Sequence, residues 1–339
     1  MIGPKHILKG AVMLMLGLLV IAGTAWGVLA LYYSDLGSAV LRTSLAVLFG
    51  LFGLAVVSSL VSRRWRRRAL AVFVAVFVGL LAWWSSIAPS NDRDWKLAVA
   101  VLPRVTIDGD LVTIRNIRNF AYRTETDFTA AYYAKTFDVR KLESVDLVAS
   151  YWAGPDIAHI FLSFGFGAND RVAISIERRD ERGEEYSTIK GLFKQYELFY
   201  VVADERDVIR LRTNVRSDPT EDVYVFKLHG PIDNGRRLFL EYMREIISLA
   251  EQPEFYNTLT TNCTGNIWLH SHVNRTRPPY TWRILLSGHV PELLYRLGRL
   301  DTTLPFPELK RLSRVNEAAR AADQAEEFSQ RIRAALPGS

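Results

Sequence analysis

Ile157-Ala158-His159-Ile160-Phe161-Leu162-Ser163-Phe164 is an apolar run broken by one imidazole and one hydroxyl. Its shortness and its β-branched and aromatic content make it a buried strand. A polar ring inside such a strand must find a partner or pay desolvation, so His159 is either a satisfied core histidine or a functional group. The next segment, Val172-Ala173-Ile174-Ser175-Ile176-Glu177, alternates in the same manner. Pairing the two in a hairpin lets Ser175 or Glu177 face the imidazole, where Glu177 could hold the tautomer or simply pair with Arg178 or Arg179. Further strands are expected over 105–107 and 111–117, flanking the hairpin signal Asp108-Gly109-Asp110, and over 145–152, 157–166, 171–178, 198–203 and 224–228. Helical patterns follow over 235–250, with Asp233 as N-cap, from about Cys263, and over 291–300. The expectation is an α+β domain with one antiparallel sheet and helices packed on it.

Upstream the pattern changes. Three apolar stretches, 10–31, 43–61 and 69–87, are each long enough to cross a hydrocarbon core of about 30 Å. Lys5 and Lys9 precede the first, and Arg63, Arg64, Arg66, Arg67 and Arg68 lie between the second and third. The intervening loop holds only Asp35 and Arg42. Positive residues favour the cytoplasmic side, which puts the N-terminus and the arginine cluster inside and the chain from about Pro89 onward outside. The first span exceeds an ordinary signal-peptide core, and arginines beside a span are more often topology determinants than lipid sites. Three divisions follow: 1–89 as a membrane anchor, 90–310 as an extracytoplasmic domain, and 311–339 as a charged surface helix.

This distribution limits what the net charge of +6 can mean. Residues 1–90 carry +7 and the remainder −1, so the basic excess is a membrane-flank property and no nucleic-acid partner is expected. One cysteine, 21 glycines and 13 prolines exclude disulfide-stapled and collagen-like classes.

That cysteine lies in Thr258-Leu259-Thr260-Thr261-Asn262-Cys263-Thr264-Gly265-Asn266, a polar run before Ile267-Trp268-Leu269. With Asn262 or Thr261 as N-cap, Cys263 falls in a first helical turn, where the helix dipole and unpaired N–H groups favour a thiolate. The same amides can form an oxyanion hole. A thiolate nucleophile also needs a base. His270 and His272 lie about 10–13 Å along such a helix, too far to serve. One Cys and a His-x-His pair lack zinc spacing, so neither metal nor cofactor is expected. His229 and His289 sit at element ends. His159 is the remaining candidate base, with Glu177 as a third member and Asn262, Ser175 and Tyr151 as candidate oxyanion or substrate contacts. An inert buried thiol and a core aromatic are the structural alternatives for Cys263 and Tyr151.

The segments Ser90-Asn91-Asp92-Arg93-Asp94-Trp95, 114–129, 151–177 and 260–266 together resemble the Lnb N-terminal periplasmic domain family. The order, histidine before cysteine, is similar to circularly permuted papain-like enzymes such as the lecithin:retinol acyltransferase-like group. The resemblance implies a thiol acyltransferase that takes an acyl chain from a phospholipid or a lipoprotein through a thioester on Cys263, with His159 as base. It implies transfer to an amine, such as a lipoprotein N-terminus, or to water. In Lnb proper further membrane helices follow the domain, whereas here they precede it, so the acceptor is not carried over. The same dyad in a polar groove would suit a cysteine amidase or peptidase of cell-wall peptides. A non-catalytic envelope scaffold would keep both residues as core.

Overall fold

A computed structural model describes residues 4–167, 170–185 and 187–338, with side chains from residue 7 onward. The side chain of Lys5 thus lies outside the described residues. The chain divides into two compact units: Met1–Pro89 with Tyr186–Gln195, and Ser90–Glu185 with Tyr196–Ser339.

The first unit holds α1 (Pro4–Tyr32), α2 (Ala39–Ser59) and α3 (Arg63–Ser86). All three are long and apolar enough to cross a membrane. They approach closely where glycine permits it. A Cβ on Gly53 would sit 2.2 Å from Thr24 Oγ1, and one on Gly27 would sit 2.3 Å from the Phe49 ring, the small-residue contact typical of packed spans. The segment Tyr186–Gln195, expected within the extracytoplasmic domain, belongs to this unit. Lys194 Nζ donates to the Trp84 and Ile87 carbonyls at the end of α3 (2.9 and 3.0 Å), and the Phe193 ring stacks on Tyr33.

Among the described residues the second unit has the strands β1 (Arg104–Asp108), β2 (Leu111–Arg118), β3 (Ala121–Tyr122), β4 (Phe128–Thr129), β5 (Tyr132–Asp138), β6 (Ser144–Tyr151), β7 (Ala158–Gly165), β8 (Arg171–Arg179), β9 (Glu197–Ala203) and β10 (Asp222–Lys227). Eight form one sheet in the order β1-β2-β9-β8-β7-β6-β10, with β5 also on β2. Its helices are α4 (Glu205–Arg210), α5 (Ile232–Glu251), α6 (Cys263–His270), α7 (Trp282–Leu285), α8 (Val290–Arg296), α9 (Phe306–Leu312), α10 (Asn316–Ala322) and α11 (Phe328–Arg331). The α+β class is as expected. The sheet is antiparallel except where Arg118 pairs with Ala203 in parallel, so it is mixed rather than wholly antiparallel. The expected hairpin forms with Asp108 opposite Leu111 and Gly109 at φ +58°, a backbone that glycine adopts without strain.

Strand alternation sends side chains to two cores. One face of the sheet packs Leu147, Ile160, Leu162, Ile174 and Tyr200 against Phe239, Tyr242 and Ile246 of α5. The other packs Val148, Phe161, Ala173 and Val201 against Val208 of α4. Helix α5 begins at Ile232, so Asp233, expected as its N-cap, lies within the first turn and pairs with Arg236 at 2.8 Å.

The C-terminal segment departs from expectation. Its charge density suggested a surface helix; instead it forms short helices whose Val315, Ala319, Ala322, Phe328 and Ile332 complete the second core. Arg333 is buried and binds Glu205 Oε1 (2.5 Å) and Asp146 Oδ2 (2.8 Å). Burial alone would raise the Glu205 carboxyl; Arg333 overrides it and brings the group down to about 2. Removing one member of a buried ion pair leaves uncompensated charge and costs about 3–5 kcal/mol. Arg333→Ala is therefore expected to lower the denaturation midpoint of the full chain by an equivalent amount. A loss below about 1 kcal/mol, the scale of an exposed pair, would contradict this role.

Candidate functional site

The site begins with a break in the sheet. Strands β7 and β8 are registered from Gly165/Arg171 to Leu162/Ile174 and no further, while β8 stays paired with β9 through Arg179/Glu197. Helix α6 packs against both β7 and β8. Beyond the break, the Ile160 backbone N–H faces Cys263 closely enough to lower its thiol.

Asn262 places that sulfur. It is the N-cap of α6: its Oδ1 accepts from the Gly265 N–H (2.7 Å) and its Nδ2 donates to the Thr258 carbonyl (2.7 Å). The side chain expected as an oxyanion contact is thus engaged in capping. The oxyanion donors available at this turn are the amides of Cys263 and Thr264, first-turn groups without an intrahelical acceptor. The Thr264 hydroxyl also lies 3.6 Å from Sγ.

His159 and Cys263 act on each other's titration. The His159 Nε2 lies 2.6 Å from Ser175 Oγ and 3.5 Å from Glu177 Oε1. Ser175 in turn donates to Glu177 at 2.8 Å. Strand periodicity puts Ser175 and Glu177 on one face of β8, which is why both meet the same ring. Ser175, expected as an oxyanion or substrate contact, is thus engaged with the His159 ring and Glu177. Tyr151 stands apart: its hydroxyl donates to the Gly288 carbonyl at 2.7 Å, tying β6 to the turn before α8.

Sequence reasoning did not find Arg212. It projects from a π-helical turn, Leu211–Val215, that continues α4. Its Nη2 lies 3.1 Å from Glu177 Oε1, its guanidinium covers the Phe161 ring at 5.2 Å, and its Nη1 donates to the Val208 carbonyl. Fifty residues of sequence separate it from Phe161, so no local motif signals it. Two further groups were also missed. Asn266, one turn along α6 from Cys263, and Tyr242 of α5 are buried, and Asn266 Nδ2 and Tyr242 Oη have no hydrogen-bond partner among the described residues. The remaining histidines lie elsewhere: His270 is buried and bonded to the Tyr200 hydroxyl (2.5 Å), where burial holds it down at about 4, and His289 pairs with Asp156 (2.7 Å).

Electrostatics follow from this geometry. Burial pushes the Cys263 thiol up, but the hydrogen bond and charge of His159 bring it down to about 7. Burial lowers His159, and its bonds to Cys263 and Glu177 outweigh that and raise it. Burial would raise Glu177, yet His159 and Arg212 hold it well below the usual carboxylate range. The arrangement can hold a thiolate–imidazolium pair near neutrality, with a permanent carboxylate behind it. Among the described residues no cluster of three or more His, Cys, Asp or Glu could hold a metal ion.

This is an α+β domain carrying a Cys–His–carboxylate constellation at a helix N-terminus, in a chain that also bears three membrane-type helices. Residues 128–288 match the family described as the Lnb N-terminal periplasmic domain, the family that the sequence resembles. No curated protein and no solved structure matches the chain.

The thiolate fraction sets alkylation rate, so iodoacetamide modification of folded protein is expected to rise through a pH of about 7. With His159→Gln, burial is opposed only by the Ile160 N–H and the Thr264 hydroxyl, and the midpoint should move upward. Glu177→Gln should move it upward by less. An unchanged midpoint in His159→Gln would refute the ion pair.

Proposed function

We propose that the domain is a membrane-anchored thiol acyltransferase acting on a phospholipid or lipoprotein acyl ester. The observation that carries this reading is Cys263 at the start of capped α6, which packs on the two strands that bear the linked His159, Ser175 and Glu177. In the first step the thiolate attacks the ester carbonyl and a C–S bond forms. The oxyanion is met by first-turn amides of α6. The C–O bond then breaks, and the imidazolium delivers its proton to the departing alkoxide, which leaves as the lyso product. In the second step an amine, as on a lipoprotein N-terminus, or water attacks the thioester. His159 takes its proton, the C–S bond breaks, and the thiolate–imidazolium pair is restored. Glu177 stabilises the imidazolium, and Ser175 and Arg212 fix the geometry.

The order of a histidine strand before a cysteine helix supports a permuted papain-like relationship. The basic flanks of the spans support an N-terminus in the cytoplasm and a domain on the periplasmic side of the inner membrane. Anchoring keeps a lipid ester at high effective concentration.

Intact mass of the detergent-purified chain after incubation with a defined phospholipid tests the reading. A hydroxylamine-sensitive acyl adduct is expected on wild type and not on Cys263→Ala. His159→Ala should lower its rate of formation by at least about a hundredfold, the usual contribution of a positioned acid–base. Absence of both adduct and lysophospholipid would refute lipid acyl transfer; release of cell-wall peptide fragments instead would identify an amidase.

A further inference from the structure

Between Glu254 and Glu292 the chain contains no acidic residue, yet it contains Arg275, Arg277 and Arg283. The middle of this stretch is also unusually apolar at its surface: Tyr280 and Trp282 are each 51% exposed, Leu285 is 46% and Leu286 is 38%. We propose that segment 275–286 is a second membrane-contacting surface that binds the anionic headgroup layer of a bilayer, beside the Cys263–His159 site.

The segment is fastened to both halves of that site. On the cysteine side, Trp268 of α6 donates from Nε1 to the Pro278 carbonyl (2.9 Å), meets the Tyr280 ring at 4.8 Å, and carries the Arg277 guanidinium over its face at 3.2 Å. On the histidine side, the Ala158 N–H donates to Ser287 Oγ (3.0 Å) and the Gly288 N–H to the Asp156 carbonyl (2.9 Å). Gly288 permits this approach, since a Cβ there would lie 2.1 Å from the Pro155 carbonyl oxygen. Nearby acids are already engaged: Asp156 holds His289, and Glu292 holds Arg296. Arg275 is exposed, and the guanidinium groups of half-buried Arg277 and Arg283 lie over the Trp268 and Trp282 rings at 3.2 and 4.5 Å.

Exposed Trp and Tyr beside Leu, interleaved with arginines, have the chemistry of an interfacial surface: the rings and aliphatic groups enter the acyl boundary while the guanidinium groups meet phosphate. An acidic protein partner would satisfy the arginines equally but would leave the apolar side chains without the lipid boundary that their mixture with charge matches. The surface requires only a bilayer, so it does not depend on Cys263 being a nucleophile.

Hydrogen exchange of the full chain in nanodiscs, phosphatidylcholine alone against phosphatidylcholine mixed with phosphatidylglycerol, tests it. Peptides covering 275–287 should exchange at least about fivefold more slowly in the anionic discs, the effect of roughly one arginine at such a surface. The combined Arg275→Gln, Arg277→Gln, Arg283→Gln variant should lose that difference, with peptides over 158–165 unchanged as a check on folding. Arg275 is exposed, so Arg275→Gln alone should weaken the effect even if the triple variant is unstable. Equal exchange in the two discs, or a difference that survives the arginine substitutions, would overturn the proposal.

Discussion

A two-strand ladder that stops early is the constraint on which the site depends. Had β7 and β8 stayed paired past Leu162 and Ile174, the sheet would have been closed where the start of α6 now packs against both strands. Opening the ladder leaves buried backbone groups that must be satisfied. Cys263 feels both the Ile160 N–H and the imidazole of His159, one residue away, and each lowers its thiol. The two groups are thus fixed by a sheet defect and a capped helix, both rigid, rather than by loops.

Behind the imidazole the stabilisation runs inward. Ser175 and Glu177 come from the neighbouring strand, and Arg212 comes from a π turn in a helix on the opposite core. Arg212 lies within that π turn, a form frequent at functional sites, and from there it reaches Glu177. Arg212 also meets Glu221 at 3.8 Å, and Glu221 accepts from Ser150 and pairs with Arg216 at 2.6 Å. Ser150 lies opposite His159 in the β6–β7 ladder. The network therefore returns to the strand next to the one it supports, so a shift of the imidazole would disturb charges on three elements together.

The residues closest to the sulfur were the most legible ones in the sequence, because their signals are local. A polar ring in an apolar strand, alternation that puts Ser175 and Glu177 on one face, and a cap-rich run before Cys263 are each readable within ten residues. Arg212 gave no such signal, since its function arises from packing between distant elements. The short strands β3, β4 and β5 were also missed. Tyr132–Asp138 alternates weakly, with Lys135 and Thr136 in its middle, and it forms a strand because β2 offers it an edge. The C-terminal segment was misread for a related reason: charge normally marks a solvated face, but Arg333 is neutralised inside the domain by partners more than a hundred residues away.

That buried ion cluster bears on how much chain the site needs. The family match ends at residue 288, yet the sheet bearing His159 is completed beyond it. Asp146 and Ser163 are paired across β6 and β7. Asp146 is held by Arg171 and Arg333, and Ser163 donates to Glu205, which Arg333 also binds. The same two strands thus carry His159 near one end and this cluster near the other. Upstream of the match, Arg179 at the end of β8 donates to the Val99 and Ala100 carbonyls and lies over Trp95 at 4.2 Å. Residues on both sides of the matched segment therefore hold the strands that position the imidazole. A fragment cut to 128–288 would keep Cys263, His159 and Glu177 but would lose Arg333, which binds both buried Glu205 and Asp146, and the Val99, Ala100 and Trp95 groups that hold Arg179.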